Sequence, residues 1–107
     1  MTKITKVIHD LLKSNEWSEY NPSTINQGNC DSFAFDIEQQ VKGSEAVWAD
    51  MWIESMPPDC SEIFNGLCIS HCFVEYNDKY YDSECPNGVN HPIQLPFFDE
   101  QILDFPT

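Results

Sequence analysis

The chain has 107 residues, of which 18 are acidic and five are basic, so its formal net charge is −13. This length fits one domain over residues 1–107, and a hydrophobic content of 41% is enough for a packed core. The negative charge argues against binding to nucleic acid or to anionic membrane surfaces, because both need basic patches. It permits a basic protein partner or mimicry of nucleic acid.

The sequence favours a cytoplasmic protein with reduced thiols. No stretch approaches the roughly 18 consecutive apolar residues of a membrane span, and the N-terminus lacks the apolar core and cleavage site of a secretory signal. The cysteines are odd in number, which without an export signal is more typical of free thiols than of a disulfide framework. They are Cys30, Cys60, Cys68, Cys72 and Cys85.

Helical spacing dominates the first part of the chain. Residues 2–13 carry apolar side chains three and four positions apart, which predicts an amphipathic helix. Residues 14–28 are polar and turn-rich and predict a loop. A second helix is predicted to begin at Cys30 behind an N-cap at Asn29 and to stop before Gly43. Its predicted buried face consists of Cys30, Phe33, Ala34, Ile37 and Val41.

The second half of the chain predicts strands. Residues 45–54 alternate between apolar and polar or bulky side chains, which indicates one strand with a single core face. Residues 55–66 contain prolines and predict a loop. Residues 67–84 predict two strands around a turn at Asn77 and Asp78. The remaining predictions are a loop over residues 85–92 and a short closing helix over residues 96–105.

The length of that turn decides which side chains share a face of the hairpin. With a turn of two or four residues, His71 lies opposite Glu84 and diagonal to Asp82, and all three share a face with Phe73. A three-residue turn would move Asp82 to the other face. An even turn therefore brings a carboxylate within reach of the imidazole.

A thiol at a helix start is a candidate nucleophile, because the unpaired N–H groups there favour a thiolate and can receive an oxyanion. Such a thiol needs a base and a group that orients the base. His9 lies within a helix, and His91 precedes a proline in a loop. His71 lies in the most regular predicted strand, so it is the candidate base for Cys30.

The stretch GNCDSFAFDIEQQVKG, followed by a strand and then HCFVEYNDKYYDSE, resembles the core of the transglutaminase-like branch of papain-like cysteine hydrolases. Shared features are a Gly-x-Cys helix start, a strand that begins with His and an aromatic-valine pattern, and a following strand that carries Asp. The similarity covers about residues 26–84. It implies a small α+β domain in which the N-terminal and Cys30-bearing helices pack on a short antiparallel sheet.

The same resemblance implies a cysteine hydrolase or acyltransferase that acts on an amide bond as a protease, amidase or deamidase, through a thioester. Cys30 would be the nucleophile, His71 the general base and acid, and Asp82 the orienting carboxylate, with Glu84 as the alternative acid. The substrate would be a protein or peptide, and a basic one would suit the net charge. The candidate oxyanion or substrate-binding groups are the Cys30 backbone N–H and the side chains of Asn26, Gln27 and Asn29.

Other interpretations remain open. Cys68, His71, Cys72 and Cys85 suggest a zinc site, but His71 and Cys72 point to opposite faces of a strand, so we predict no metal and no cofactor. Cys30 could be a small core residue, since free cysteine is often buried. The alternative function is an acidic binding or inhibitor protein that occupies a basic or nucleic-acid-binding surface of a partner, with or without a degenerate thiol site.

Overall fold

The computed structural model describes residues 2–103, which form an α+β fold. Four antiparallel strands make one sheet in the order β1-β2-β3-β4. The strands are β1 (Glu45–Trp48), β2 (Cys72–Tyr76), β3 (Lys79–Asp82) and β4 (Cys85–Val89). The helices are α1 (Lys3–Leu12), α2 (Pro22–Asn26), α3 (Cys30–Gln40), α4 (Ala49–Glu54), α5 (Pro58–Ile63) and α6 (Pro96–Leu103).

The two long N-terminal helices match their predicted spans closely. The Thr2 side chain caps α1 by accepting a hydrogen bond from the Thr5 backbone N–H. In α3 the predicted face of Cys30, Phe33, Ala34, Ile37 and Val41 is buried throughout. Asn29 occupies the N-cap position of α3, but its side chain makes no capping hydrogen bond. The chain turns towards β1 at Gly43, whose φ is +90°.

The hairpin of β2 and β3 has the predicted even turn. Asn77 and Asp78 form a two-residue turn, and both have positive φ, 50° and 63°. Such turns match the right-handed twist of paired strands, and Asn and Asp tolerate the left-handed conformation well. The register pairs Tyr76 with Lys79, which confirms the predicted hairpin. Its first strand begins only at Cys72, so residues 67–71, including His71, lie before the strand in which they were predicted.

The predicted strand over residues 45–54 is wrong in its second half, where the chain forms α4. The paired part of β2 begins at Cys72 opposite Trp48, so β1 has no partner beyond that point. The helix buries Ala49 and Trp52 and leaves Met51 62% exposed. Alternation predicted the opposite for Met51, because it cannot report where a distant partner strand ends.

Three predicted loops contain regular structure. Residues 14–28 include α2 and residues 55–66 include α5, each with a proline in its first turn, where the missing N–H costs little. Residues 85–92 include β4, which pairs with β3 although its sequence, CPNGV, is a poor strand former. The closing helix is confirmed over Pro96–Leu103, and residues 104–105 lie outside the described part of the chain.

The sheet separates two buried clusters. The α3-side core contains mainly aliphatic side chains, among them Ile4, Ile8, Ile25, Ile37, Val41 and Val74. The α6-side core contains mainly aromatic side chains, among them Trp52, Phe64, Phe73 and Phe98, together with Ala49 and Leu95. None of the helices within residues 2–103 has the length and apolar character needed to cross a membrane.

Candidate functional site

The candidate site lies at the start of β2, where the two cores meet. Cys30 is the first residue of α3, and its side chain belongs to the α3-side core. The backbone N–H of Cys72 donates a hydrogen bond to the Cys30 sulfur at 3.4 Å. His71 immediately precedes β2, and its ring contacts Phe97 and Phe98 on the α6 side. The Cys30 thiol on α3 and the His71 imidazole just before β2 thus approach the start of the strand from opposite sides of the sheet.

Asp82 holds the imidazole of His71. The ring Nε2 and the Asp82 Oδ2 are 3.0 Å apart, and the residues are 0% and 4% exposed. The other carboxylate oxygen, Oδ1, accepts a hydrogen bond from the Glu84 backbone N–H at 2.9 Å. Both oxygens therefore have fixed partners, and the carboxylate is anchored where it sets the orientation of the ring.

Glu84, the alternative orienting acid, forms its side-chain hydrogen bond with another residue. Its Oε1 accepts a hydrogen bond from the Asn26 side-chain amide at 2.9 Å. The Asn26 carbonyl oxygen accepts one from the Ser83 hydroxyl, also at 2.9 Å. Because β3 ends at Asp82, Ser83 and Glu84 belong to the connection to β4 and turn towards α2. Asn26 thus uses its carbonyl oxygen and one of its two amide hydrogens in these contacts.

His71 Nδ1 is the ring nitrogen left for the thiol. It is buried and has no hydrogen bond of standard geometry within residues 2–103. The Cys30 sulfur lies 3.4 Å from the backbone nitrogen of Cys72, the residue after His71, and the thiol and the imidazole shift each other's pKa. Catalytic hydrogen bonds are often long in an unliganded site and tighten when substrate binds.

The pKa values of the pair shift in opposite directions. Burial raises the pKa of the Cys30 thiol, but the His71 imidazole and the Cys72 N–H outweigh it, so the pKa lies below the ordinary 9.0. Burial lowers the pKa of His71, but Asp82 and Cys30 outweigh it, so that pKa lies above 6.5. Both shifts favour a thiolate beside an imidazolium, which is the reactive form of a cysteine nucleophile.

Two other cysteines have environments that favour the neutral thiol. Burial and the neighbouring Cys30 raise the pKa of Cys72 to about 12. Burial and the Asp82 carboxylate raise the pKa of Cys85 to about 11. Cys30 differs from these two cysteines because His71 and the Cys72 N–H lower its pKa by more than burial raises it.

The start of α3 supplies groups that could receive an oxyanion. The first N–H groups of a helix have no partner within it, although that of Phe33 is taken by the Asn29 carbonyl at 3.0 Å. The backbone N–H of Cys30 is thus a geometrically reasonable donor. The Gln27 side chain is exposed at the end of α2 and the Asn29 side chain is half-buried, and neither forms a hydrogen bond with the described residues.

Two aromatic side chains of α6 contact the imidazole, and no local sequence pattern predicts this contact. Phe97 stacks on His71 with ring centroids 4.2 Å apart and an angle of 11° between the planes. Phe98 meets the ring edge at 5.7 Å. Gln101 fixes the next turn of α6, because its Oε1 accepts a hydrogen bond from the Cys68 N–H at 2.7 Å. A cleft of about 190 Å³ lies between α2 and α6, lined in part by Gln27, Glu84 and Phe97.

The predicted opposition of His71 and Cys72 also appears in the structure. The Cys72 side chain lies in the α3-side core, whereas the His71 ring contacts the aromatic rings of α6. Within residues 2–103, no group of three or more His, Cys, Asp or Glu side chains has an arrangement suited to a metal ion.

No protein-family model, curated protein or solved structure matches this chain. The functional argument therefore depends on the geometry and electrostatics of Cys30, His71 and Asp82. Two hydrogen bonds bring their segments together at the start of β2. One joins Cys30 to Cys72, 42 residues later, and the other joins His71 to Asp82, 11 residues later.

Proposed function

We propose that the protein is a cysteine hydrolase or acyltransferase that acts on an amide bond of a protein or peptide. Cys30 is the nucleophile, His71 the general base and acid, and Asp82 the residue that orients His71. The observation that carries the proposal is the buried His71–Asp82 hydrogen bond of 3.0 Å beside a thiol whose pKa is lowered. A papain-like architecture is part of the same proposal.

The first half of the reaction forms a thioester. The Cys30 thiolate attacks the carbonyl carbon of the amide, and the carbonyl π electrons move onto oxygen, where N–H groups at the start of α3 can stabilise the charge. When the intermediate collapses, the C–N bond breaks and the leaving amine takes the proton of the His71 imidazolium. The products of this half are a neutral imidazole, an acyl-Cys30 thioester and a free amine.

The second half releases the acyl group. Water or another amine attacks the thioester carbonyl while His71 Nδ1 accepts its proton, and the C–S bond then breaks. The thiolate and imidazolium are restored without any net change in the protein. Asp82 stays ionised and holds the ring through Nε2 in both halves. Water as acceptor gives hydrolysis or deamidation, and an amine gives acyl transfer.

The test is the alkylation rate of each cysteine with iodoacetamide at about pH 6.5, followed by peptide mass spectrometry. The thiolate is the reacting species, so a lowered pKa makes Cys30 react fastest per unit of exposure. The variant His71→Gln should slow alkylation of Cys30 by about tenfold for each unit that the pKa rises. The matched control is His9→Gln, on a half-buried histidine of α1 that is not part of the candidate site.

Two results would contradict the proposal. One is a Cys30 that, per unit of exposure, reacts no faster than the half-buried Cys60. The other is equal Cys30 rates in the His71→Gln and His9→Gln proteins. Circular dichroism of each variant separates a loss of reactivity from a loss of folding. Cleavage of fluorogenic peptide amides, compared with the Cys30→Ala protein, then tests turnover itself.

A further inference from the structure

A groove along the free edge of β1 has a volume of about 420 Å³. It lies outside the candidate catalytic site and shares no side chain with it. Two methionines at the groove are unusually exposed, Met51 at 62% and Met56 at 39%. The apolar part of its wall is formed by Ala46, Val47, Trp48, Met51, Trp52 and Met56.

Two carboxylates at this groove lie directly opposite each other. Glu45 on β1 pairs with Glu75 on β2, and both line the cavity. Like charges in a directly opposed antiparallel pair destabilise a sheet. Neither carboxylate forms an ion pair with a lysine or arginine within residues 2–103. Within residues 2–103 the pair is therefore not neutralised by a cation of the chain, which leaves both carboxylates available to a cation from outside.

The edge of β1 is partly closed to an added strand. The backbone N–H of Ala46 points away from β2 and donates to the Glu38 carboxylate at 2.7 Å. Side-chain blocking of an edge N–H group discourages backbone pairing with another chain. A ligand of this groove would therefore be recognised by its side chains.

We propose that the groove binds a basic peptide segment of a partner protein. An apolar side chain of the segment packs against Trp48, Met51 and Met56, and a neighbouring arginine lies between Glu45 and Glu75. Arginine suits the paired carboxylates because its planar guanidinium presents several donors at once. Methionine side chains adapt to apolar partners of different shape, and the net charge of −13 attracts a basic segment over distance.

The test measures binding of fluorescein-labelled synthetic peptides of about twelve residues, rich in alternating arginine and leucine, by fluorescence anisotropy. Glutamate-for-arginine and serine-for-leucine versions of the peptide separate the charge requirement from the apolar requirement. Met51→Ser and the double variant Glu45→Gln/Glu75→Gln should each weaken binding by fivefold or more, which corresponds to about 1 kcal/mol of binding free energy. Both changes affect partly exposed side chains, so the fold should persist.

Matched controls exist elsewhere on the surface. Ile63→Ser changes an exposed apolar residue on α5, and Glu16→Gln/Glu19→Gln removes two exposed acids before α2. Equal weakening by the control and groove variants would show non-specific charge attraction and overturn the proposal, as would absence of binding at low salt. The Cys30→Ala protein should bind as tightly as the native protein, so this result does not depend on whether Cys30 is catalytic.

Discussion

The two sides of the sheet position Cys30 and His71 by different kinds of packing. On the α3 side, aliphatic packing fixes a helix, and the helix start presents Cys30. On the α6 side, aromatic rings contact one another directly, with Phe64 and Phe98 at 5.0 Å and Phe97 and His71 at 4.2 Å. The Cys30 thiol is positioned by the backbone of α3. The His71 imidazole is positioned by the hydrogen bond of its ring nitrogen to Asp82 and by the stacking of Phe97 on its face. The aromatic side provides that stacking contact.

The largest expected loss of stability comes from removing one phenylalanine from each core. Phe33→Ala and Phe98→Ala both empty fully buried positions, at 2% and 0% exposure, so each should lower the free energy of unfolding by about 3–5 kcal/mol. Phe35→Ala, at 44% exposure on the same helix as Phe33, should change it by less than about 0.5 kcal/mol. Urea unfolding followed by tryptophan fluorescence measures all three. A small loss from either core variant would show that one side contributes little.

Replacing the anchor of the imidazole has the next largest effect. Asp82→Asn weakens a charge-assisted hydrogen bond and should cost about 1.5–3 kcal/mol near pH 6. Because the native pKa of His71 is raised above 6.5, its protonation stabilises the fold fully below that value. This contribution is lost as the pH rises through the higher native pKa, so the difference between native and variant should shrink in alkaline solution. Thermal unfolding across pH, with Asp10→Asn as the control, measures this dependence.

A third test concerns the close approach of β4 to the α3-side core. Gly88 has φ of +79°, and a Cβ atom there would lie 2.7 Å from the Tyr81 ring. Gly88→Ala should therefore cost about 1–3 kcal/mol through backbone strain, with the ring contact adding to it. Gly28→Ala has no atom within 4 Å of the added Cβ and should be close to neutral. Similar unfolding midpoints for the two variants would contradict the close contact.

The last prediction concerns Phe97, which stacks on one face of the His71 imidazole. Phe97→Ala deletes one stacked aromatic pair, which is worth about 0.5–1.5 kcal/mol in addition to the apolar area that Phe97 buries. It should also expose the face of His71 and raise the alkylation rate of Cys30 severalfold, while Phe35→Ala leaves that rate unchanged. An unchanged rate in Phe97→Ala would mean that Phe97 supports the ring without limiting access to it.

The comparison also explains which features could be predicted from the sequence. The face of α3 follows from helical spacing, and the register of the hairpin follows from the Asn77–Asp78 turn; both signals are local. The change from strand to helix after Trp48 depends on where a strand 24 residues later begins to pair, which no local pattern contains. Alternation therefore predicted a strand where α4 forms.

The same distinction applies to the candidate site: local patterns predict part of it, and contacts between distant segments determine the rest. Strand parity put Asp82 and Glu84 on the face of His71 but could not choose between them. The choice depends on Asn26, which binds Glu84 across 58 positions of the chain. The stacking of Phe97 on His71 depends likewise on how α6 packs, and two adjacent phenylalanines after a proline do not predict it. Contacts between segments distant in the sequence therefore determine which carboxylate binds His71 and which aromatic ring stacks on it.

One backbone contact links the candidate catalytic site to the proposed peptide groove. The N–H of Ala49, the first residue of α4, donates to the His71 carbonyl at 2.8 Å, and the same helix carries Met51 and Trp52 of the groove wall. That proton can exchange with deuterated solvent only when α4 and His71 separate. Its nuclear magnetic resonance signal therefore reports on both sites at once, without a substrate and without altering a residue.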